Sequence, residues 1–173
     1  MRLRFVVAYD GTEFVGWQRQ SRGRSVQAEL EQALARVTGA SPRVTGAGRT
    51  DAGVHAVGQV AHFDTDWPRG VDALERAWNA VLPGDVSVSW LAAAPMSFHA
   101  RHDAVTRTYR YRVSTDSSVR PFLGRTWITS TRGLDIAAMA EGAGRLVGQH
   151  DFGAFGHPMS ADGSTVRRLD AVL

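Results

Sequence analysis

The chain has 173 residues, 43% of them hydrophobic, with a formal net charge of +3 and no cysteine. That supplies enough apolar side chain for one large domain or two small α/β units, and it excludes disulfides and thiolate metal sites. No apolar run reaches membrane-spanning length. The short apolar run in MRLRFVVAYD alternates like a strand and is too short for a signal sequence, so a cytoplasmic protein is expected.

Arg2 to Ala8 alternates polar and apolar and reads as a strand running into an Asp10-Gly11 turn. Residues 12–24 are polar, with Trp17 expected as a hydrophobic anchor. Ser25 has the chemistry of a helix N-cap. Val26, Leu30, Ala33, Leu34 and Val37 then fall on one helical face, and Gly39 stops the helix. Pro42 to Thr45 reads as a short strand, Val57 to Asp64 as a longer one, Val71 to Ala80 as a second helix and Val86 to Ala92 as another strand. The order βαββαβ predicts an α+β unit over residues 1–103, a ferredoxin-like antiparallel sheet with both helices on one face.

A second, incomplete α+β unit is predicted over residues 104–173. Arg107 to Val113 alternates strictly, with Tyr109 and Tyr111 on one face and Arg110 and Arg112 on the other. Arg125 to Thr129 reads as a short strand and Leu134 to Leu146 as an amphipathic helix. Residues 151–155 are broken by glycine, and Val166 to Leu173 reads as a last strand.

The basic side chains are all arginine. Residues 1–60 hold eight arginines against five acids, and residues 101–132 hold seven against two. Arginine forks onto phosphates and stacks on bases, so two basic segments fit a nucleic-acid footprint. A GC-rich coding bias accounts for the missing lysine by itself.

The most informative stretch is Ala47-Gly48-Arg49-Thr50-Asp51-Ala52-Gly53-Val54-His55. Glycines at 48 and 53 allow sharp turns or close backbone approach. Arg49 and Asp51 lie two apart and share a direction if the segment is extended. A carboxylate beside a fixed cation stays ionised near neutral pH, available as nucleophile or base. An isolated Arg-x-Asp is more often a surface ion pair. His55 and His62 invite a metal reading with Asp51, but beside Asp51 and His55, four apart, no third ligand has convincing spacing, and a hydrolase built on Asp51 and His55 is a further alternative.

Tyr9-Asp10-Gly11, Gly16-Trp17-Gln18-Arg19-Gln20, Ser25-Val26-Gln27, the block from Gly48 to His55, Leu82-Pro83-Gly84-Asp85, Phe98-His99-Ala100-Arg101 and Tyr109-Arg110-Tyr111 occur in that order. Together they resemble the TruA family of tRNA pseudouridine synthases along essentially the whole chain. The resemblance implies a homodimeric RNA-modifying isomerase that converts uridines of the tRNA anticodon stem-loop to pseudouridine without metal or organic cofactor. It implies Asp51 as the catalytic carboxylate, with Arg49 pairing with it and filling the stack vacated by the flipped base. It implies Tyr109 as the active-site tyrosine, stacking on uracil and helping to remove the C5 proton. Tyr111 is expected to pack. Gln18, Arg19, Gln20 and Arg101 are candidate RNA contacts, as are Arg22, Arg24, Arg107, Arg110 and Arg112. Family members continue into a Val-Arg-Asn-Ile-Val-Gly-like motif with a further active-site arginine, which nothing after Arg168 supplies. The expectation is therefore an N-terminal part of a synthase, weakly active or inactive alone, with a non-catalytic RNA-binding fragment as the alternative.

Overall fold

The structure, a computed structural model, describes residues 1–115, 124–130, 133–156 and 163–172. They form two compact units, Met1–Arg110 and Tyr111–Leu173. In the first unit, β1 (Arg2–Tyr9), α1 (Val26–Thr38), β2 (Thr45–Gly46), β3 (Ala56–Asp64), α2 (Val71–Val81) and β4 (Val86–Ala94) follow one another. The strands form one antiparallel sheet in the order β2-β3-β1-β4. Alternation along β1 buries Leu3, Phe5, Val7 and Tyr9 on one face, where Leu30 and Leu34 of α1 and Leu74 and Trp78 of α2 cover them. Phe5, Phe63 and Trp78 meet edge-on, with centroids 4.8 to 5.8 Å apart, and the Trp78 indole N–H donates to Leu30 O at 3.2 Å. Trp17 is buried in this core, as an anchor should be.

Helix α1 starts after Ser25 and ends at Gly39, but its N-terminus is capped differently from the expectation. The Ser25 hydroxyl makes no capping bond and is buried without a partner. The Val26 and Gln27 N–H groups instead donate to Gly16 O (3.2 Å) and Trp17 O (3.0 Å). Carbonyls of the 14–17 segment thus satisfy donors that the serine was expected to serve.

In the second unit, β5 (Val113–Ser114) pairs in parallel with β6 (Ile128–Thr129). Helix α3 (Ile136–Gly144) follows, capped by the Asp135 carboxylate on the Ala138 N–H, and β7 (Gly148–Asp151) pairs antiparallel with β8 (Val166–Leu169). The strand expected over Arg107–Val113 is confined to its last residue. Residues 107–112 have no partner strand among the described residues, and alternation without a ladder does not make a strand. Tyr111, expected to pack, is 81% exposed. The expected last strand stops at Leu169, and β7 went unrecognised because Gly148-Gln149-His150-Asp151 has no apolar alternation.

Candidate active site

The Gly48–His55 segment is a loop between β2 and β3, and the chain from Asp10 to Trp17 lies along it. Trp17 N–H donates to Thr50 O at 2.9 Å and Gly53 N–H to Phe14 O at 3.2 Å. Gly16 makes the approach possible. Its φ is 115°, and a Cβ there would stand 2.6 Å from Thr50 O. Of the two glycines expected to bend the loop, Gly53 has φ 77°, while Gly48 serves through its N–H, donating to Gln59 Oε1 at 3.0 Å.

Gln18, Gln20, Arg49, Thr50 and Asp51 line one cleft of about 210 Å³, with Val15, Gly16 and Ala52. Four of the residues chosen from sequence, Gln18, Gln20, Arg49 and Asp51, therefore converge. One expectation about them needs correction. Among the described residues no ion pair joins Arg49 to Asp51; both are exposed on the loop between β2 and β3 rather than set side by side on a paired strand. Asp51 is exposed at this cleft.

Arg19 turns away toward Glu31 (3.2 Å), and its N–H donates to Gln27 Oε1 at 3.0 Å. Arg24, a candidate phosphate contact, is engaged inside the protein. It forks onto Asp85 at 2.5 and 2.9 Å, donates to Glu29 at 2.8 Å and lies 4.3 Å from the Phe14 ring centre, and these carboxylates raise its pKa further. Arg22, Arg110 and Arg112 are exposed. Arg101 is exposed in the segment after β4, and its carbonyl accepts from Arg107 Nη2 at 3.1 Å. The same Nη2 reaches Ala47 O at 2.8 Å, which ties Arg107 to the start of the Asp51 loop. Tyr109 is 66% exposed, and its phenol adds to the upward push that burial exerts on the Tyr9 hydroxyl.

Sequence reasoning missed the buried polar residues that hold Gln18, Arg19 and Val44 beside the cleft. Gln27 takes the Gln18 amide at 2.7 Å and donates to Val44 O at 2.9 Å, while Glu31 accepts the Val44 N–H at 3.1 Å. Their signal was present: polar residues four apart on a helix beside its apolar stripe.

Among the described residues no three His, Cys, Asp or Glu side chains converge on a metal position. His55 Nδ1 lies 3.1 Å from both the Gly11 nitrogen and Asp10 Oδ1, which engages this ring with the Asp10-Gly11 turn. His62 is buried, accepts the Ala100 N–H on Nδ1 at 3.2 Å and stacks edge-on with Phe98 and His99. Burial first, then Arg2 and His99, lower its pKa, against Asp64 and Asp103. The unfolded chain protonates this ring near pH 6.5 while the folded protein resists, so stability present above that pH is lost as pH falls through it. The urea midpoint should therefore drop between pH 7.5 and 5.5, and less so in His62→Asn, which keeps an acceptor for Ala100. An equal drop in the variant would assign the loss elsewhere.

A family model described as tRNA pseudouridine synthase matches residues 5–103. The chain is 46% identical over 176 residues to tRNA pseudouridine synthase A of Methylococcus capsulatus, covering 98% of this chain and 62% of that protein. It is 40% identical over 168 residues to the protein of the same name from Maridesulfovibrio salexigens (97% and 62%). With that from Syntrophotalea carbinolica it shares 44% over 171 residues (98% and 68%). The chain thus spans about three-fifths of the length of the first two relatives. With its Gly48–His55 block seated on a cleft of the matched unit, the chain belongs to the tRNA pseudouridine synthase family.

Proposed function

We propose that this chain carries out, or forms part of an enzyme that carries out, the isomerisation of uridine to pseudouridine in the anticodon stem-loop region of tRNA, with Asp51 as the catalytic carboxylate. The observation that carries the reading is the presentation of Asp51: an exposed carboxylate on a loop whose backbone is bonded on both sides. In the reaction the N1–C1′ bond breaks, the base turns, a C5–C1′ bond forms, the C5 proton leaves and N1 takes one up. A carboxylate can hold the fragment between these steps by attack at uracil C6 or at the ribose. Arg49, on the same cleft, suits the stack left by an extruded base. Tyr109 suits stacking on uracil, with its hydroxyl assisting loss of the C5 proton. Gln18, Arg19, Gln20 and Arg101 suit contacts to the RNA backbone.

The strand order β4-β1-β3-β2 with two helices on one face supports a ferredoxin-like reading of the first unit. Residues 1–103 then act as an RNA-binding unit with the catalytic loop, and residues 104–173 as part of a catalytic unit. Homodimer formation, cytoplasmic location and independence from metals and cofactors complete the reading on family resemblance.

Tritium at C5 of the target uridine reaches water once per turnover. With enzyme in excess, residues 1–173 should release it slowly from C5-labelled tRNA. The arginine-rich segments at residues 1–60 and 101–132 also suit a second reading, an RNA-binding segment without turnover. Salt-sensitive tRNA binding with no release would select it. Tyr109→Phe keeps a stacking ring and removes the hydroxyl; it should slow release about a hundredfold, the scale of general acid–base assistance. An unchanged rate would leave Tyr109 with stacking alone.

A further inference from the structure

We propose that Tyr9 is a positioning residue for the Asp51 loop, holding it through a buried hydroxyl that ties down the residues on both sides of Arg49. Only the kinetic consequence of this inference rests on the functional reading above.

The hydroxyl sits at the end of β1 in a side chain 4% exposed. It lies 2.9 Å from Thr50 Oγ1 and 3.3 Å from Gln59 Nε2. The directions of these bonds follow from one fixed donor. The Gly48 N–H can only donate, so the Gln59 atom facing it at 3.0 Å is the carbonyl oxygen. The Gln59 amide nitrogen therefore faces Tyr9, and it too can only donate. The phenol oxygen accepts there, which leaves Thr50 Oγ1 as the acceptor within reach of its one proton. Gly48 and Thr50 flank Arg49, so Tyr9 holds one directly and the other through Gln59. The Thr50 carbonyl is held separately by the Trp17 N–H. Burial raises the pKa of Tyr9, which keeps its proton in place at neutral pH.

The backbone prepares this arrangement. The β1–β3 register runs regularly to Val7 opposite Gln59, then slips so that Tyr9 faces Ala56. One extra residue on β3 is the mark of a bulge, which re-aims side chains beside it. The Tyr9 ring is fixed by Phe14 and Trp17, at centroid distances of 6.4 and 6.1 Å. Phenylalanine at position 9 would keep that packing and lose only the hydroxyl.

Tyr9→Phe should raise amide exchange from Gly48 to Gly53 about tenfold, with exchange in α1 and central β1 unchanged. It should lower the single-turnover rate of tritium release about tenfold with tRNA affinity unchanged, because a small misplacement of a reacting group costs rate rather than binding. Thr50→Val removes the other end of the bond while keeping the shape of the side chain. Because both changes break one bond, the double variant should lose no more than either single one. Multiplying losses, or unchanged loop exchange in Tyr9→Phe, would overturn the proposal. If Tyr9→Phe fails to fold, Thr50→Val alone must show the exchange increase, and its absence is equally decisive. Undiminished release by Asp51→Ala would overturn the functional reading, and loop exchange would still decide the role of Tyr9.

Discussion

Asp51→Ala should abolish tritium release from C5-labelled tRNA, by roughly four orders of magnitude or more in a single turnover with enzyme in excess, the scale on which a lost nucleophile is felt. Binding of tRNA should stay within about twofold, because one small, exposed, anionic side chain contributes little to holding a polyanion. The fold should also be undisturbed. Asp51 is exposed, and the loop's order comes from backbone bonds at Gly48, Thr50 and Gly53 together with the Val54 N–H on Asp51 O, none of which needs the carboxylate. Loss of rate without loss of affinity or unfolding midpoint separates a chemical role from a structural one. A variant that turns over normally would move the nucleophile elsewhere. One that loses affinity in proportion to rate would make Asp51 a binding residue. Arg49→Ala is the instructive companion. No ion pair joins it to Asp51, so its effect should fall on the bound tRNA rather than on the charge of the carboxylate.

Local patterns carried the first unit well. The apolar spacing from Val26 to Val37, closed by Gly39, placed α1, and alternation in β1, β3 and β4 placed the central sheet. Such features are legible because each is decided by neighbours three or four residues away, or two. What escaped depends on distant partners. Ser25 has the right chemistry for a cap, yet carbonyls of Gly16 and Trp17 took the helix donors and left its hydroxyl buried. Arg107 to Val113 alternates as a strand should, but a strand exists only where another pairs with it. At the site, the glycine spacing around Asp51 announced a special loop. The residues that fix it, Tyr9 and Gln59, sit inside two ordinary strands, and their polar ends meet across the β1–β3 pair beside a slip in its register. Arg24 and Arg49 looked alike in sequence as arginines of basic segments. Asp85, sixty-one residues away, made the difference by claiming one of them.

Gly11→Ala should be among the most damaging small changes in the first unit. A Cβ at residue 11 would stand 2.1 Å from Val54 O and 2.4 Å from Val54 C, both backbone atoms, so no side chain can swing aside. Either the turn at Gly11–Glu13 or the end of the Asp51 loop must move, and each is bonded. The Gly11 N–H lies 3.1 Å from His55 Nδ1, Phe14 N–H donates to Gly11 O at 3.0 Å, and Gly53 N–H donates to Phe14 O at 3.2 Å. Overpacking against a side chain costs about 1–3 kcal/mol, and against fixed backbone the upper end, about 3 kcal/mol, is expected. Because the displaced atoms belong to the loop that carries Asp51, catalysis should suffer beyond the loss of stability, with rate falling even at temperatures where the variant is fully folded. Gly58→Ala is the control. It lies on β3 with nothing within 4 Å of the added carbon and no positive φ, so its urea midpoint should hold or rise slightly as the unfolded chain loses freedom. Equal midpoints for the two variants would mean that the Gly11–Val54 approach yields without cost, and the close docking of the two segments would then not be what holds Asp51 in place.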